Sequence, residues 1–451
     1  MIQFPKDFIW GTATSSYQIE GAVKEDGRGE SIWDRFCRIP GKVRNKENGD
    51  IACNHYHLYD DDVKLIKSLG VQSYRFSVAW SRIFPEGTGK PNPKGLDFYK
   101  RLINSLLENE IEPLLTLYHW DLPQLLQDKG GWMNRDMTDY FTDYATYLYQ
   151  ELGNQVKKWG THNEPWVVSY KGYSLGNAAP GYVDFRSHLK ASHHLLLSHG
   201  KAAQAFRELG PKGGEIGITL NIEPTYPLED NEECKKAAAI KDGFSNRWFL
   251  DPVLKGSYPQ DMVDIYSKFE TFDYIKDGDF EVMSSPTDFL GVNYYSISTN
   301  KPGTQGELGF LGVESVKTGK PVTFMDWEVE PQGLVDTLQR IKADYGDIPV
   351  YITENGAAYE DQVDEDGTIN DEDRRAYIEM HLKACKDAID AGVNLKGYYL
   401  WSLMDNFEWR YGYSKRFGMV RVDYDTLKRT PKNSALWYKT VIEANGFNQT
   451  K

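Results

Sequence analysis

Eight short apolar stretches recur along the chain, and a helical pattern or a long loop follows each one. They fall at residues 8–18, 73–80, 112–120, 157–164, 215–221, 288–295, 350–356 and 395–402. Segments with helical spacing lie at 60–69, 98–109, 138–152, 189–209, 333–345, 372–391 and 434–443. The seventh stretch opens Val350-Tyr351-Ile352-Thr353, four strong strand formers in a row, as expected of a strand covered on both faces. Strand and helix alternating over this length imply an α/β protein with parallel strands and right-handed crossovers. Eight such units predict a closed (β/α)8 barrel in a single domain over residues 1–451. The competing open doubly wound sheet usually carries a glycine-rich turn after an early strand, and neither G-x-G-x-x-G nor G-x-x-x-x-G-K occurs here.

The residues that end the strands share a character. The first stretch runs into Gln18 and Glu20, the third into His119-Trp120-Asp121, and the fourth into His162-Asn163-Glu164-Pro165. Asn221 closes the fifth, Asn293-Tyr294-Tyr295 the sixth, Glu354-Asn355 the seventh and Trp401 the eighth. Polar and aromatic side chains thus gather at the C-terminal end of the barrel, where barrel enzymes hold their active sites. Glu354 alone could be a carboxylate in a structural ion pair, but seven such ends together read as a site.

Composition narrows the ligand. A net charge of −14 without long one-sign blocks argues against nucleic acid and anionic membranes, both of which need clustered Lys and Arg. No run of about 18 apolar residues occurs. The first residues, Met1 to Phe8, lack a secretory signal pattern, and Cys37, Cys53, Cys234 and Cys385 are scattered without a C-x-x-C pair. Reduced thiols in a cytoplasmic protein are the expectation. Most of the 29 Tyr, 20 Phe and 12 Trp are expected in the core, with sugar binding as the minority explanation, because indole stacks well on the C–H face of a pyranose.

Glu164 and Glu354 are far apart in the chain, yet the ends of strands four and seven bring both to one mouth. Two carboxylates across a small cavity can divide acetal cleavage: one stays ionised and attacks, while the other holds a proton for the leaving oxygen. Arg75, if it points inward from the second strand, keeps one of them ionised, and Tyr295 can add a phenolic hydrogen bond to the same group. Glu164 has no adjacent cation. Burial beside an anion should raise its pKa from about 4.3 towards about 6, as a general acid requires.

Thr161-His162-Asn163-Glu164-Pro165 and Tyr351-Ile352-Thr353-Glu354-Asn355-Gly356 resemble the two signatures of glycoside hydrolase family 1, the β-glucosidases and their relatives. The resemblance runs nearly end to end. It includes the stretch from Phe8 to Glu20, the Tyr118-His119-Trp120-Asp121-Leu122-Pro123 segment, Asn293-Tyr294-Tyr295, and the stretch from Trp401 to Trp409. It implies a barrel with Glu354 as nucleophile and Glu164 as acid/base of a retaining mechanism, with the carboxylates about 5 to 5.5 Å apart. It further implies that Gln18, His119, Asn163, Glu408 and Trp409 bind the sugar hydroxyls over a floor of Trp401. Asn293, Tyr295 and Arg75 would support the reacting centre, and Trp120, Trp327 and Phe417 would wall the pocket. The substrates implied are small β-glucosides and short oligosaccharides, with galactosides and fucosides as further candidates; no metal or cofactor is implied, and self-association is left open.

Several rival readings remain. Glu408 suits neutral hydroxyls and repels a 6-phosphate, whereas the family's phosphoglycosidases usually carry Ser there; the Lys415-Arg416 pair nearby reads as a solvated loop. Arg410 departs from the small or apolar residue expected after Trp409. Gly172-Tyr173-Ser174-Leu175-Gly176 fits a nucleophile elbow but lacks the strand that must precede it. His188, His193, His194 and His199 miss the spacings of metal-binding pairs and read as structural. Residues 362–373 read as an acidic surface turn, 301–322 and 401–420 as surface loops, and Asn448-Gln449-Thr450 as a chance glycosylation triplet. A sugar-binding barrel without activity is the non-enzymatic alternative, and the presence of both carboxylates argues against it.

Overall fold

A computed structural model describes residues 1–449. Eight parallel strands close into a barrel. They are β1 (Ile9–Ala13), β2 (Ser73–Ser77), β3 (Glu112–Tyr118), β4 (Lys158–Asn163), β5 (Glu215–Asn221), β6 (Phe289–Asn293), β7 (Val350–Asn355) and β8 (Leu395–Trp401). Each pairs with its sequence neighbours, and β8 closes the ring on β1 with Trp401 opposite Ala13. The principal helices are α1 (His55–Ser68), α2 (Pro93–Glu108), α3 (Met137–Leu152), α4 (Phe185–Leu209), α5 (Glu232–Asp242), α6 (Pro331–Tyr345), α7 (Glu372–Asp390) and α8 (Asn433–Ala444). All eight predicted strands and all seven predicted helices are present; α5 lies between the fifth and sixth strands, where no single helix is predicted.

Two layers of apolar packing hold the barrel. The large one lies between strands and helices and buries Trp10, Trp80, Trp132 and Trp159 completely. The small one fills the barrel itself with Leu114, Phe289, Tyr351 and Tyr399, and continues upward to Trp401 and Phe417 at the mouth. Rings of that size need bare backbone opposite. A Cβ on Gly11 would lie 2.3 Å from the Tyr399 ring, so the narrow interior accepts the tyrosine only because β1 carries glycine there.

The strands end earlier than their sequence patterns suggest. β1 stops at Ala13, and Gln18 sits on a short helical turn, Ser16–Ile19. β2 stops at Ser77, and Trp80–Ile83 is helical. Polar side chains that look like strand ends are therefore carried on the turns that follow, which lets them bend over the mouth. Residues 301–322 are not a plain loop: Val313–Val316 pairs antiparallel with Ser298–Pro302, which pairs with Thr225–Pro227. Glycines and lysines flank this short strand, and only Val313 in it is buried, so it leaves no clear alternation in the sequence. The acidic turn is a small hairpin, Gln362–Val363 against Ile369–Asn370. Thr450 of the glycosylation triplet lies outside the described residues.

The segment after β8 is fastened by a buried ionic network. Lys432 Nζ lies 2.8 Å from both Asp361 and Asp405 with none of the three side chains exposed. Arg374 pairs with Asp361 at 3.0 Å and with Asp371 at 2.6 Å, and Arg416 with Asp405 at 2.6 Å. Arg416 is thus committed to a buried carboxylate, and Lys415 donates to the Phe324 carbonyl, so this pair is not the solvated one its sequence suggested. Removing one partner of such a cluster strands charge in a dry site. Lys432→Met is expected to destabilise the fold by about 3 kcal/mol or more, read as a shifted urea midpoint. A loss below about 1 kcal/mol would mean that the remaining arginines hold the carboxylates unaided.

Candidate active site

Both carboxylates of interest sit where a strand loses its regular register. On β7 the pairing with β6 shifts between Ile352 and Glu354, and on β4 the pairing with β5 shifts between Gly160 and Asn163. Such irregularities turn a side chain that would alternate outward towards the mouth. Glu164 itself has φ +52°, and Trp120 and Trp409 on neighbouring turns have +79° and +47°. Left-handed backbone in three non-glycine residues around one cavity is strain that the surrounding packing must hold in place.

The polar groups form one continuous chain. Arg75, fully buried on β2, donates from one guanidinium nitrogen to Glu354 Oε1 at 2.7 Å and from the other to Asn163 Oδ1 at 2.6 Å. Tyr295 donates its hydroxyl to Glu354 Oε2 at 2.7 Å, so both oxygens of Glu354 are held. Thr353 donates to Asn293 Oδ1 at 2.8 Å, which turns the amide nitrogen of Asn293 towards Glu164 Oε1 at 2.7 Å and Asn163 Oδ1 at 3.0 Å. With its oxygen taken by Arg75 and Asn293, Asn163 offers its nitrogen to His119 Nε2 at 3.1 Å. The histidine therefore accepts there and carries its proton on Nδ1, which has no partner among the described residues.

These contacts push the two acids apart. Burial raises Glu164 well above the ordinary carboxylate range, the charge of Glu354 raises it further, and the Asn293 hydrogen bond opposes this only in part. Burial also raises Glu354, but Arg75 and Tyr295 counter it directly. Of the pair, Glu354 is the one whose charge is countered by a cation and a phenol, and Glu164 the one raised further by its neighbour's charge. The sequence anticipated the direction for Glu164; the effect is larger because burial is complete. Glu408 is pushed up to about 8 by burial and by the charge of Glu354. His119 is held neutral by burial and by the nearby Arg75.

The cavity above has a volume of about 610 Å³, room for a sugar and part of what is attached to it. Glu164, Glu354, Glu408, His119, Asn293, Tyr295 and the aromatic residues Trp120, Trp327, Trp401, Trp409 and Phe417 all line it. One wall stacks His119 against Trp401 and Trp409, with ring centroids 5.8 and 6.1 Å apart, and Trp120 against Trp409 at 4.6 Å. The opposite wall sets Tyr295 against Trp327 at 5.3 Å and Trp327 against Phe417 at 6.0 Å. Arg75 and Asn163 lie just behind the surface. Gln18 does too: its amide nitrogen donates to Asn406 Oδ1, to the Phe407 carbonyl and, at 3.5 Å, to Glu408 Oε2.

Other strand-end residues serve the frame. Glu20 accepts from Arg82 and Tyr99, and Asp121 from Ser16. The histidines of α4 point to separate partners: His188 to Ser169, His193 to Asp279, His194 to the Trp132 carbonyl and His199 to Thr161. Ser174 follows the helical Val167–Lys171, not a strand. The cavity includes the strand-end Asn221, and also Trp33, Trp166, Lys171 and Met325, which sequence reasoning did not assign. Trp166 could have been found, since it directly follows the Glu164-Pro165 pair. Trp33 and Met325 come from distant loops with no motif of their own.

A parallel barrel with two unlike carboxylates at its mouth, walled by indoles, defines a glycoside-cleaving site. Residues 1–447 match the description of glycosyl hydrolase family 1, and the chain belongs to that family. It is 52% identical to β-glucosidase A of Acetivibrio thermocellus over 99% of both chains. The family 1 β-glucosidase of Thermotoga maritima, solved in complex with isofagomine lactam, is 45% identical and superposes with a TM-score of 0.95 over 99% of both chains. A more distant relative, 41% identical over 98% of both chains, is an aryl-phospho-β-D-glucosidase of Bacillus subtilis.

Proposed function

We propose that the protein is a retaining β-glucosidase and that the whole chain serves as one catalytic domain. The observation carrying this reading is the unequal treatment of two buried carboxylates: Glu354 is clamped by Arg75 and Tyr295, while Glu164 is held by the neutral Asn293. Glu354 attacks the anomeric carbon and forms a covalent glycosyl ester. Glu164 gives its proton to the glycosidic oxygen, then takes one from the water that releases the sugar. Asn293 keeps Glu164 pointed at the leaving oxygen, and Trp401 is the face on which the pyranose rests. His119 Nδ1, Glu408 and, through Glu408, Gln18 are suited to its hydroxyls. Short β-linked gluco-oligosaccharides fit the cavity as natural substrates. Four buried free thiols accord with a cytoplasmic site of action.

The phosphoglycosidase reading is supported by one relative and opposed by Glu408, whose carboxylate already faces the charge of Glu354. A panel of nitrophenyl β-glycosides with and without a 6-phosphate separates the two. The unphosphorylated glucoside should have at least about tenfold higher kcat/KM, because like charges brought together in a buried site are strongly disfavoured. The discrimination should grow as pH rises through about 8, since only ionised Glu408 repels. Equal or faster turnover of the phosphorylated sugar would overturn the assignment.

A further inference from the structure

The cavity wall beyond Glu164 carries a cation that the reaction does not use. Lys171 stands on the helical turn that begins just after Trp166, and both residues line the cavity. Its Nζ lies 5.7 Å from the centroid of the Trp166 ring, at the outer limit of a cation–π contact. Among the described residues no carboxylate lies within ion-pair distance of it. This contrasts with the other lysines of the same cavity: Lys241 is paired with Glu223 at 2.6 Å and Lys317 with Asp326 at 3.5 Å. Trp166 adds a second donor without an acceptor, its indole Nε1.

We propose that Trp166 and Lys171 form a subsite for aromatic aglycones that carry a carboxylate, and so make Lys171 a specificity-determining residue. The inference rests on the β-glucosidase reading, in which the side of the cavity next to Glu164 receives the leaving group. The indole face takes the ring, and the ammonium takes the anion in a charge-assisted hydrogen bond. A lysine left unpaired in a partly enclosed wall retains its full attraction for an incoming anion, because no internal carboxylate has to be displaced first. Arg410 is the other cation of the lining without an ion pair, exposed on the rim against Tyr411.

The test compares 4-carboxyphenyl β-glucoside with its methyl ester, in which the same ring carries no charge. The ratio of kcat/KM for the acid to that for the ester is measured in the wild type, Lys171→Met, Lys171→Arg and Lys171→Glu. Taking ratios cancels the difference in leaving-group acidity and any effect of the lysine on Glu164. The ratio should fall about tenfold in Lys171→Met, as the loss of one charge-assisted hydrogen bond implies, and further in Lys171→Glu. Lys171→Arg should keep it near the wild-type value, and raising the salt concentration should lower it in the wild type and in Lys171→Arg but not in Lys171→Met. An unchanged ratio in Lys171→Met and Lys171→Glu, with the ester still hydrolysed, would overturn the subsite and leave the β-glucosidase reading standing. Failure of the wild type to cleave the ester would remove that reading and the subsite with it.

Discussion

Glu354→Ala lowers hydrolysis of an aryl β-glucoside by a factor on the order of 10⁵, and sodium azide restores turnover with α-glucosyl azide as the product. The stereochemistry follows from the site. Truncating Glu354 opens a space directly beneath the anomeric carbon, next to Arg75 and Tyr295, whose donors already hold negative charge there. A small anion in that space attacks from the face opposite the departing β-aglycone. Glu164 still supplies the proton, so a single displacement inverts the centre. Product analysis by proton NMR reads the configuration. Hydrolysis at wild-type level in this variant, or rescue giving only β-glucosyl azide, would remove Glu354 from the role of nucleophile.

Glu164→Ala should behave as the mirror of that result. With Glu354 intact the covalent glycosyl ester still forms when the leaving group is good, so 2,4-dinitrophenyl β-glucoside is still attacked and its release shows a burst. Poor leaving groups lose the proton they need, and their turnover falls on the order of 10² to 10⁴. Azide attacks the ester from the vacated upper face and gives β-glucosyl azide. The pH dependence changes in a defined sense. In the wild type, activity falls on the basic side as Glu164 loses the proton that burial and Glu354 hold on it. On the acid side it falls as Glu354 gains one. The variant should lose the basic limb and keep the acid limb. A profile unchanged on the basic side would assign the acid to another group, with Glu408 the first to examine because it too is raised.

The architecture was legible because it depends on local pattern. Apolar strands alternate with amphipathic helices, the pattern of parallel strands covered on both faces, and eight such units without a glycine-rich turn favour the closed barrel over the open sheet. Glu164 and Glu354 were legible because a charge at the end of an apolar strand has no local reason to be there. The small sheet around Val313–Val316 was hidden, since its strands are short and its pairing is distant in the chain. The ionic anchor of Lys432 was hidden for the same reason: Asp361, Asp405 and Lys432 have no common periodicity, and their partnership exists only where three loops cross.

From sequence alone came the barrel, the end of it that bears the candidate site and the two candidate acids, because strand period and strand-end chemistry are properties of neighbouring residues. What only the tertiary structure supplies is the unlike surroundings of the two carboxyls. Glu164 and Glu354 are the same residue type with the same intrinsic proton affinity, and what separates them is through-space: a guanidinium from β2 and a phenol beyond β6 reach Glu354, while Glu164 receives a single amide. Electrostatic energy falls with distance in space and takes no account of distance along the chain. The folded barrel therefore gives two chemically identical carboxyls different surroundings.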